Sequence, residues 1–566
     1  MTPLIRQYIE FFQSYSLKQI LREPTRITCN TSSLLDHILS NSLQKISSSG
    51  TLDIGISDHK LIFCTRKIVR YKSNKHQNIF GRSYKNYDQT NFEKALNNVK
   101  FPNYKYFLNI DLAYSDFIDK LSSIINTMAP FKETRIKNNS QEWFDREIYE
   151  KIENRDKLLQ KFQKSKTHID ENLYKSAKYN VQKLVKIKKR DFYQAKLTEN
   201  IGKPKELWKT LKSLGLPSKK SHESKICLKG NDSIKFDDAE NASIFKDFFS
   251  KLADDLVAKL PNPSGRFGIL SVKSYYKKIL GSHSLNFELV PTTEANIFMI
   301  LQSLQTDKAA GIDNISSRFL KDGAKILAEP ICQLCNLSIN LSLFPSDCKI
   351  AKIKPLFKKG SKTDPKNYRP VSLLPIISKI IERVVNEQTQ CFLQHSKAIC
   401  DYQSGFRKHF STNSCLSYLS DKITKGFDSG LFTGMILIDL QKAFDTINHE
   451  ILIDKLKCLG FSERSRAWFK SYLSFRKFKV CVNNSLSQPG QITCGVPQGS
   501  ILGPLLFLIY INDIPQAVKC DILLYADDTC LLFQHKNIKI IEQELNKNFA
   551  DLCEWFVDNR LSIHFG

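Results

Sequence analysis

The residues best placed by type and spacing to do chemistry are three aspartates. The run Met435-Ile-Leu-Ile-Asp439 is continuously apolar and ends in a carboxylate, which predicts a buried strand with Asp439 at its end. Farther on, Ile522-Leu-Leu-Tyr-Ala-Asp527-Asp528-Thr-Cys-Leu-Leu-Phe533 sets two apolar runs around a polar pair, which predicts a β-hairpin with both aspartates at its turn. Alone, such a turn is ordinary. Its conjunction with Asp439 and with the intervening loop Gly495-Val-Pro-Gln-Gly-Ser500 makes accident a poor explanation. Carboxylate oxygens are hard ligands that suit Mg²⁺, with Mn²⁺ as a substitute, and Mg²⁺ takes one or two of them together with waters and substrate phosphates. Three converging aspartates would seat two ions, one activating a 3′-hydroxyl and the other neutralising a leaving pyrophosphate. That is the chemistry of a nucleotide polymerase.

The elements that must hold these groups belong to a chain of 566 residues, which at typical domain sizes means about three or four units. Hydrophobic residues at 42% and charged residues at 25% are ordinary for globular material and exclude wholesale disorder. Lys and Arg outnumber Asp and Glu by 84 to 57, a formal charge of +27 that attracts polyanions. Charge alone puts nucleic acid only modestly ahead of a solubilising surface or an anionic membrane. The sequence has no run of about 18 apolar residues, and Met1–Ile20 lacks the features of a signal peptide, so a soluble intracellular protein is expected. Fifteen cysteines are scattered without framework spacing, which suits reduced thiols. The close pair Cys332 and Cys335, at i,i+3, reads as a helix core face rather than a zinc site.

Four stretches differ in character. Met1 to about Ile68 holds the compact apolar segments Ser33–Ile38 and Ile54–Cys64, and the Lys/Arg/Asn-rich Lys67–Lys85 reads as a linker. Glu142–Lys212 is helical in pattern and strongly basic, with Ile148, Ile152 and Leu159 on one stripe and Val181, Leu184, Val185 and Phe192 on another. The run Lys186–Arg190 within it reads equally as a grip for nucleic-acid phosphates or as the solvated face of a helical hairpin. Breaks at Leu214–Ser224 and Leu260–Gly268 are candidate boundaries around a helix at Ala239–Leu260. Thr292–Gly566 then alternates helical patterns with short apolar strands.

Four passages of that last stretch resemble those of reverse transcriptases, most closely the non-LTR (LINE-type, Jockey-like) retrotransposon enzymes. They are Asn367-Tyr-Arg-Pro-Val-Ser-Leu-Leu374, Ile438-Asp-Leu-Gln-Lys-Ala-Phe-Asp445, Gly495-Val-Pro-Gln-Gly-Ser-Ile-Leu-Gly-Pro504 and Tyr525-Ala-Asp-Asp528. The resemblance runs from about Leu301 to the end and implies an RNA-directed DNA polymerase, with Asp439 and Asp527 as principal metal ligands and Asp528 as the third. It sets Phe444 beneath the incoming sugar, where a ring would clash with a 2′-hydroxyl and select deoxynucleotides. Plain core packing is the other reading of that ring. Gln498 falls beside the incoming nucleotide, on a loop whose glycines let backbone approach closely and whose Ser500 is a good N-cap for a helix Ile501–Ile511. The segment from Lys354 to Arg369 resembles the fingers hairpin, where cations meet the triphosphate. Lys354, Lys358 and above all the forked Arg369 are donors for a triphosphate, although Lys358 and Lys359 read more readily as solvated turn lysines. Asp307-Lys-Ala-Ala-Gly-Ile-Asp313 resembles the family's opening passage and reads as fingers structure.

At the front, Pro24-Thr-Arg-Ile27, Ser33-Leu-Leu-Asp36-His37-Ile38 and Ile56-Ser-Asp58-His59 resemble the closing passages of the AP-like endonuclease that precedes the polymerase in these elements. The resemblance makes His59 the general base, Asp36 its partner and Asp58 a neighbour. The family's metal-binding glutamate would precede Met1, so DNA cleavage is not expected. At the back, an amphipathic helix at Ile541–Asn559 leads into Leu561-Ser-Ile-His-Phe565, and the family's thumb would follow. The resulting expectation is an α/β (α+β) right-hand polymerase. Residues 1–68 are an endonuclease remnant, 69–291 a basic, largely helical connector, 292–430 the fingers and 431–566 a palm with an antiparallel sheet. Its partners would be an RNA template, a DNA primer or target and deoxynucleoside triphosphates, without a membrane, and the family implies action in the nucleus. The rival reading is a catalytically silent, basic nucleic-acid-binding remnant, against which the three intact aspartates stand. A telomerase or intron-encoded enzyme is disfavoured by the endonuclease-like front.

Overall fold

The computed structural model describes residues 10–12, 15–28, 31–53, 57–67, 76–137, 143–165, 167–203, 206–208, 210–211, 226–229, 234–281 and 286–564. They divide into two compact units, Met1–Gly81 with Glu133–Gln194, and Arg82–Lys132 with Ala195–Gly566. Of the expected features, Leu214–Ser224, residues 54–56, residues 68–75 and Phe565 lie outside the described residues.

The smaller unit pairs Ile46–Leu52 with Leu61–Arg66 as antiparallel strands and carries the helices Arg146–Ser165 and, for most of its length, His168–Glu199. Among its described residues only Leu21, Ile148 and Val181 are buried apolar side chains, a thin core for the length. The basic run is partly engaged within the unit. Lys188 forms ion pairs of 2.7 Å with Asp145 and 2.8 Å with Glu147. The expected linker Lys67–Lys85 is corrected in part, because His76–Arg82 is a strand that pairs with Phe131–Lys137.

The larger unit holds a core that runs from Phe92 to Leu561. Residues 82–132, read above as connector, supply part of it. Helix Ile110–Met128 is started by Asn109, whose side chain accepts from the N–H groups of Asp111 and Leu112. It buries Ile110, Ala113, Tyr114, Phe117, Leu121, Ile124 and Ile125, a stripe at helical spacing. The break at Leu260–Gly268 proves to be a docked loop and no boundary. The Asp558 carboxylate accepts from Ser264 Oγ at 3.0 Å, Gly265 N at 3.1 Å and Phe267 N at 2.8 Å. Arg266 beside them pairs with Asp551 and Glu554. In helix Ala324–Leu341 both Cys332 and Cys335 are buried, as their spacing predicts.

Two sheets position the functional residues. One orders Tyr368–Leu373, Ile350–Phe357, Arg476–Val482 and Ser485–Leu486, with Gly490–Ile492 also paired to Arg476–Val482. The other is antiparallel and orders Phe432–Ile438, Asp528–His535 and Asp521–Tyr525. Helix Ile538–Asp558 covers this second sheet, burying Ile541, Leu545, Leu552, Trp555 and Phe556. It comes so close that a Cβ on Gly434 would lie 2.2 Å from Ile541 Cγ2. Helix Leu502–Ile511 is apolar all round and correspondingly buried all round. No helix among the described residues is long and apolar enough to cross a membrane.

Candidate active site

The register of the three-stranded sheet brings the aspartates together. Ile438 pairs with Thr529, so Asp439, one step on, comes level with Asp528. Tyr525 pairs with Asp528 and closes a two-residue turn of Ala526 and Asp527, in which Ala526 takes φ +56°. The expected strand end and hairpin turn are therefore both present. The Asp528 carboxyl is pushed above the usual carboxylate range by burial and then by the negative charges of Asp527 and Asp439. Among the described residues none of the three is in an ion pair, so this acidic end is left uncompensated. No three His, Cys, Asp or Glu side chains among them are drawn tightly enough to enclose a metal on their own. The three carboxylates offer hard oxygen donors of the kind a divalent cation takes together with waters and substrate oxygens.

A loop and a half-buried carboxylate lie beside it. Gly495 N donates to Ile447 O at 2.7 Å and Val496 N to Phe444 O at 2.8 Å, which stitches the Gly495–Ser500 loop to the segment after Asp439. Gln498 Nε2 donates to both carboxylate oxygens of Asp445, at 2.9 and 2.8 Å. A carboxylate only accepts, so the amide must turn its nitrogen to Asp445 and its carbonyl away. Burial pushes the Asp445 carboxyl up to about 6, against the downward pull of Gln498 and Lys442. Phe444 stacks on Phe507 at 4.7 Å and meets the Phe406 ring edge-on at 5.9 Å, yet stays partly exposed. It therefore packs on one side and can meet a ligand on the other.

Gly495 has φ +82°, and a Cβ there would stand 2.6 Å from the Asp445 carbonyl oxygen. Gly495→Ala should cost about 1–3 kcal/mol from backbone strain alone, read as a lower thermal midpoint. An unchanged midpoint would mean that the loop is not held as described.

The helix after this loop runs Leu502–Ile511, and two side chains take the N–H groups of its first turn. Ser500 Oγ does accept from Gly503 N at 3.0 Å, but the carboxylate of the fully buried Glu382 takes Ile501 N at 2.7 Å and Leu502 N at 3.3 Å. Burial pushes the Glu382 carboxyl up, and the two N–H groups of the helix start pull against that shift.

Opposite charge gathers on the neighbouring hairpin. Lys354 pairs with Val371 and Leu356 with Arg369, so Lys354 and Arg369 face the same way, both exposed. Lys442, at φ +53°, has its pKa lowered by burial and further by Lys358 and Arg369, while Asp445 pulls it up. Lys358, Arg369 and Lys442 thus form one positive patch, whereas Lys354 is related to it only by facing. Lys358 is exposed, as a solvated turn lysine would be, and also contributes to this patch, while Lys442 was missed. Its sole sequence signal was a lysine inside the passage Asp439–Asp445.

In the smaller unit, His59 Nδ1 lies 2.8 Å from Asp36 Oδ2. Thr25 Oγ1 accepts from the N–H groups of Leu35 and Asp36, which fixes the loop. The Asp36 carboxyl is held below its usual range by His59 first and Thr25 second. Asp58 instead pairs with Arg26 at 2.7 Å, so the structure joins Asp36 to His59 and leaves Asp58 out.

Compared with known proteins, residues 357–565 match the family model for reverse transcriptase (RNA-dependent DNA polymerase). The chain is 32% identical over 280 residues to the probable RNA-directed DNA polymerase from transposon BS of Drosophila melanogaster, covering 48% of this chain and 31% of the relative. It is 29% identical over 258 residues to that from transposon X-element of the same species, covering 44% and 28%. It is 30% identical over 283 residues to the RNA-directed DNA polymerase from mobile element jockey, also of Drosophila melanogaster, covering 48% and 30%. The chain thus spans less than a third of the length of each of these relatives.

Proposed function

We propose that this chain, which carries a reverse transcriptase domain of the non-LTR retrotransposon kind at residues 357–565, elongates a DNA primer on an RNA template. The single observation that carries the reading is the uncompensated acidic end of the three-stranded sheet, where Asp528 feels the charges of both Asp527 and Asp439. Asp439 and Asp527 would hold two Mg²⁺ ions, with Asp528 third. When bound, the ions supply charge neutralisation at the attacking 3′-hydroxyl and the departing pyrophosphate. Arg369, Lys358 and Lys442 bind the triphosphate, with Lys354 farther along the same face. Gln498, its nitrogen committed to Asp445, offers a carbonyl acceptor to the nucleotide. In this reading residues 292–430 act as fingers and 431–566 as palm, and the primer is a chromosomal target opened in the nucleus. The smaller unit is read as endonuclease-like on its Asp36–His59 contact. A silent nucleic-acid-binding remnant would have no use for three adjacent carboxylates that repel nucleic acid.

The test is extension of a primed RNA template with deoxynucleotides and, separately, ribonucleotides. The chain should extend with the former and discriminate against the latter. Phe444→Val, which opens the space beneath the sugar, should relax that discrimination by about 10- to 100-fold and keep deoxynucleotide addition. An unchanged ratio would reduce the ring to core packing against Phe507.

A further inference from the structure

The turn that carries Asp527 is held by a side chain from outside the hairpin. Gln403, with 2% of its surface exposed, accepts at Oε1 from Ala526 N at 3.0 Å and from Gly405 N at 2.7 Å. Its Nε2 donates to Ala526 O at 3.4 Å, so one amide grips both polar backbone groups of the residue before Asp527. Around it, Ser404 N donates to Leu524 O at 2.8 Å and Leu524 N to Tyr402 O at 2.9 Å, which lays the segment along the hairpin as a short parallel edge. That segment is itself pinned. Arg407 Nη1 donates to the carbonyls of Cys400 and Gln403, both at 3.0 Å, and Asn512 Oδ1 accepts from Cys400 N at 2.9 Å. Gly405 leaves no slack, because a Cβ there would stand 2.1 Å from Ala526 N.

Ala526 sits at φ +56°, a conformation that an L-residue other than glycine holds only when its surroundings impose it. We propose that Gln403 is a positioning residue for nucleotidyl transfer: it clamps Ala526 in this conformation and thereby fixes where Asp527 presents its carboxylate to the metal. The inference rests on the polymerase reading above. Gln403 is too buried to touch nucleotide or nucleic acid, so it acts only through Ala526. An amide suits the task because it donates and accepts at once, which neither a carboxylate nor a hydrocarbon can do.

The experiment measures Mn²⁺ binding to the full chain by electron paramagnetic resonance, with RNA-template binding and melting recorded alongside. Asp527→Ala identifies the relevant site. Gln403→Leu should weaken that site about tenfold, the lower end of what loss of an outer-shell partner costs a metal site. Adding Ala526→Gly should restore most of the affinity, because glycine adopts positive φ without the clamp. Template binding should be unchanged in both. If Gln403→Leu melts below the assay temperature, Gln403→Asn, one methylene too short to span both partners, replaces it with the same expectation. Unweakened Mn²⁺ binding, or a loss that Ala526→Gly leaves uncorrected, overturns the proposal. A chain in which Asp527→Ala removes no Mn²⁺ site overturns the polymerase reading itself, and the two failures are told apart by that control.

Discussion

Asp439→Asn should lower RNA-templated primer extension by at least about 10³-fold, equivalent to roughly 4 kcal/mol of transition-state stabilisation, while template binding is kept. The substitution keeps the shape of the side chain and removes one of the three charges at the sheet end. Burial first, and then the charges of Asp527 and Asp439, push the Asp528 carboxyl up, so the folded state carries a mutual repulsion that the variant relieves. Melting should therefore stay level or rise as activity disappears. This pairing separates a catalytic carboxylate from a structural one, whose loss would lower both together. Extension within tenfold of the unmodified chain would remove Asp439 from the metal site.

Lys455→Met should destabilise the larger unit by about 3–5 kcal/mol, the usual cost of stripping one partner from a buried ion pair. Lys455 Nζ stands 2.5 Å from Asp513 Oδ1, and both side chains are wholly buried. Burial pulls the Lys455 pKa down, and Asp513 pulls it back up. The lysine also donates to Tyr510 O at 2.5 Å, while Asp513 accepts from Trp555 Nε1 at 3.0 Å and Gln516 Nε2 at 2.8 Å. The pair thereby joins helix His449–Cys458, the end of helix Leu502–Ile511 and helix Ile538–Asp558. Urea unfolding measures the loss. Replacing both partners, as Lys455→Met/Asp513→Leu, should recover much of it, since a well-packed apolar pair is often as stable as a buried ionic one. If the single variant lost less than about 1 kcal/mol, the pair would not be the tie between these helices.

What was legible in the sequence was local. The run ending in Asp439 and the two runs flanking Asp527 and Asp528 announce strands because apolar continuity needs no distant partner. The helix Ile538–Asp558 showed its buried stripe for the same reason, as did the i,i+3 cysteines in Ala324–Leu341. What escaped depends on partners far along the chain. Gln403 meets Ala526 across 123 residues and Glu382 meets Ile501 across 119, and neither leaves any period to read. Leu260–Gly268 has the composition of a boundary, yet it is bound to Asp558, which only the fold brings near. Lys442 was hidden by its backbone, since nothing local announces a lysine at positive φ. The stripe of Ile110–Met128 has helical spacing but was passed over inside the connector, and its membership in the larger core depends on distant partners. Asp36 and His59, separated by 23 residues, became a pair on paper only through the resemblance of their surroundings to a known motif.

The most direct measurement is base-by-base extension of one primed RNA template in Mg²⁺, with the chain as it stands and with Asp527→Ala/Asp528→Ala. Each deoxynucleotide should be added only opposite its complement by the first protein, and none by the second, although both bind the template. Untemplated addition, or extension that survives the double substitution, would contradict the assignment of Asp439, Asp527 and Asp528 as the polymerase centre.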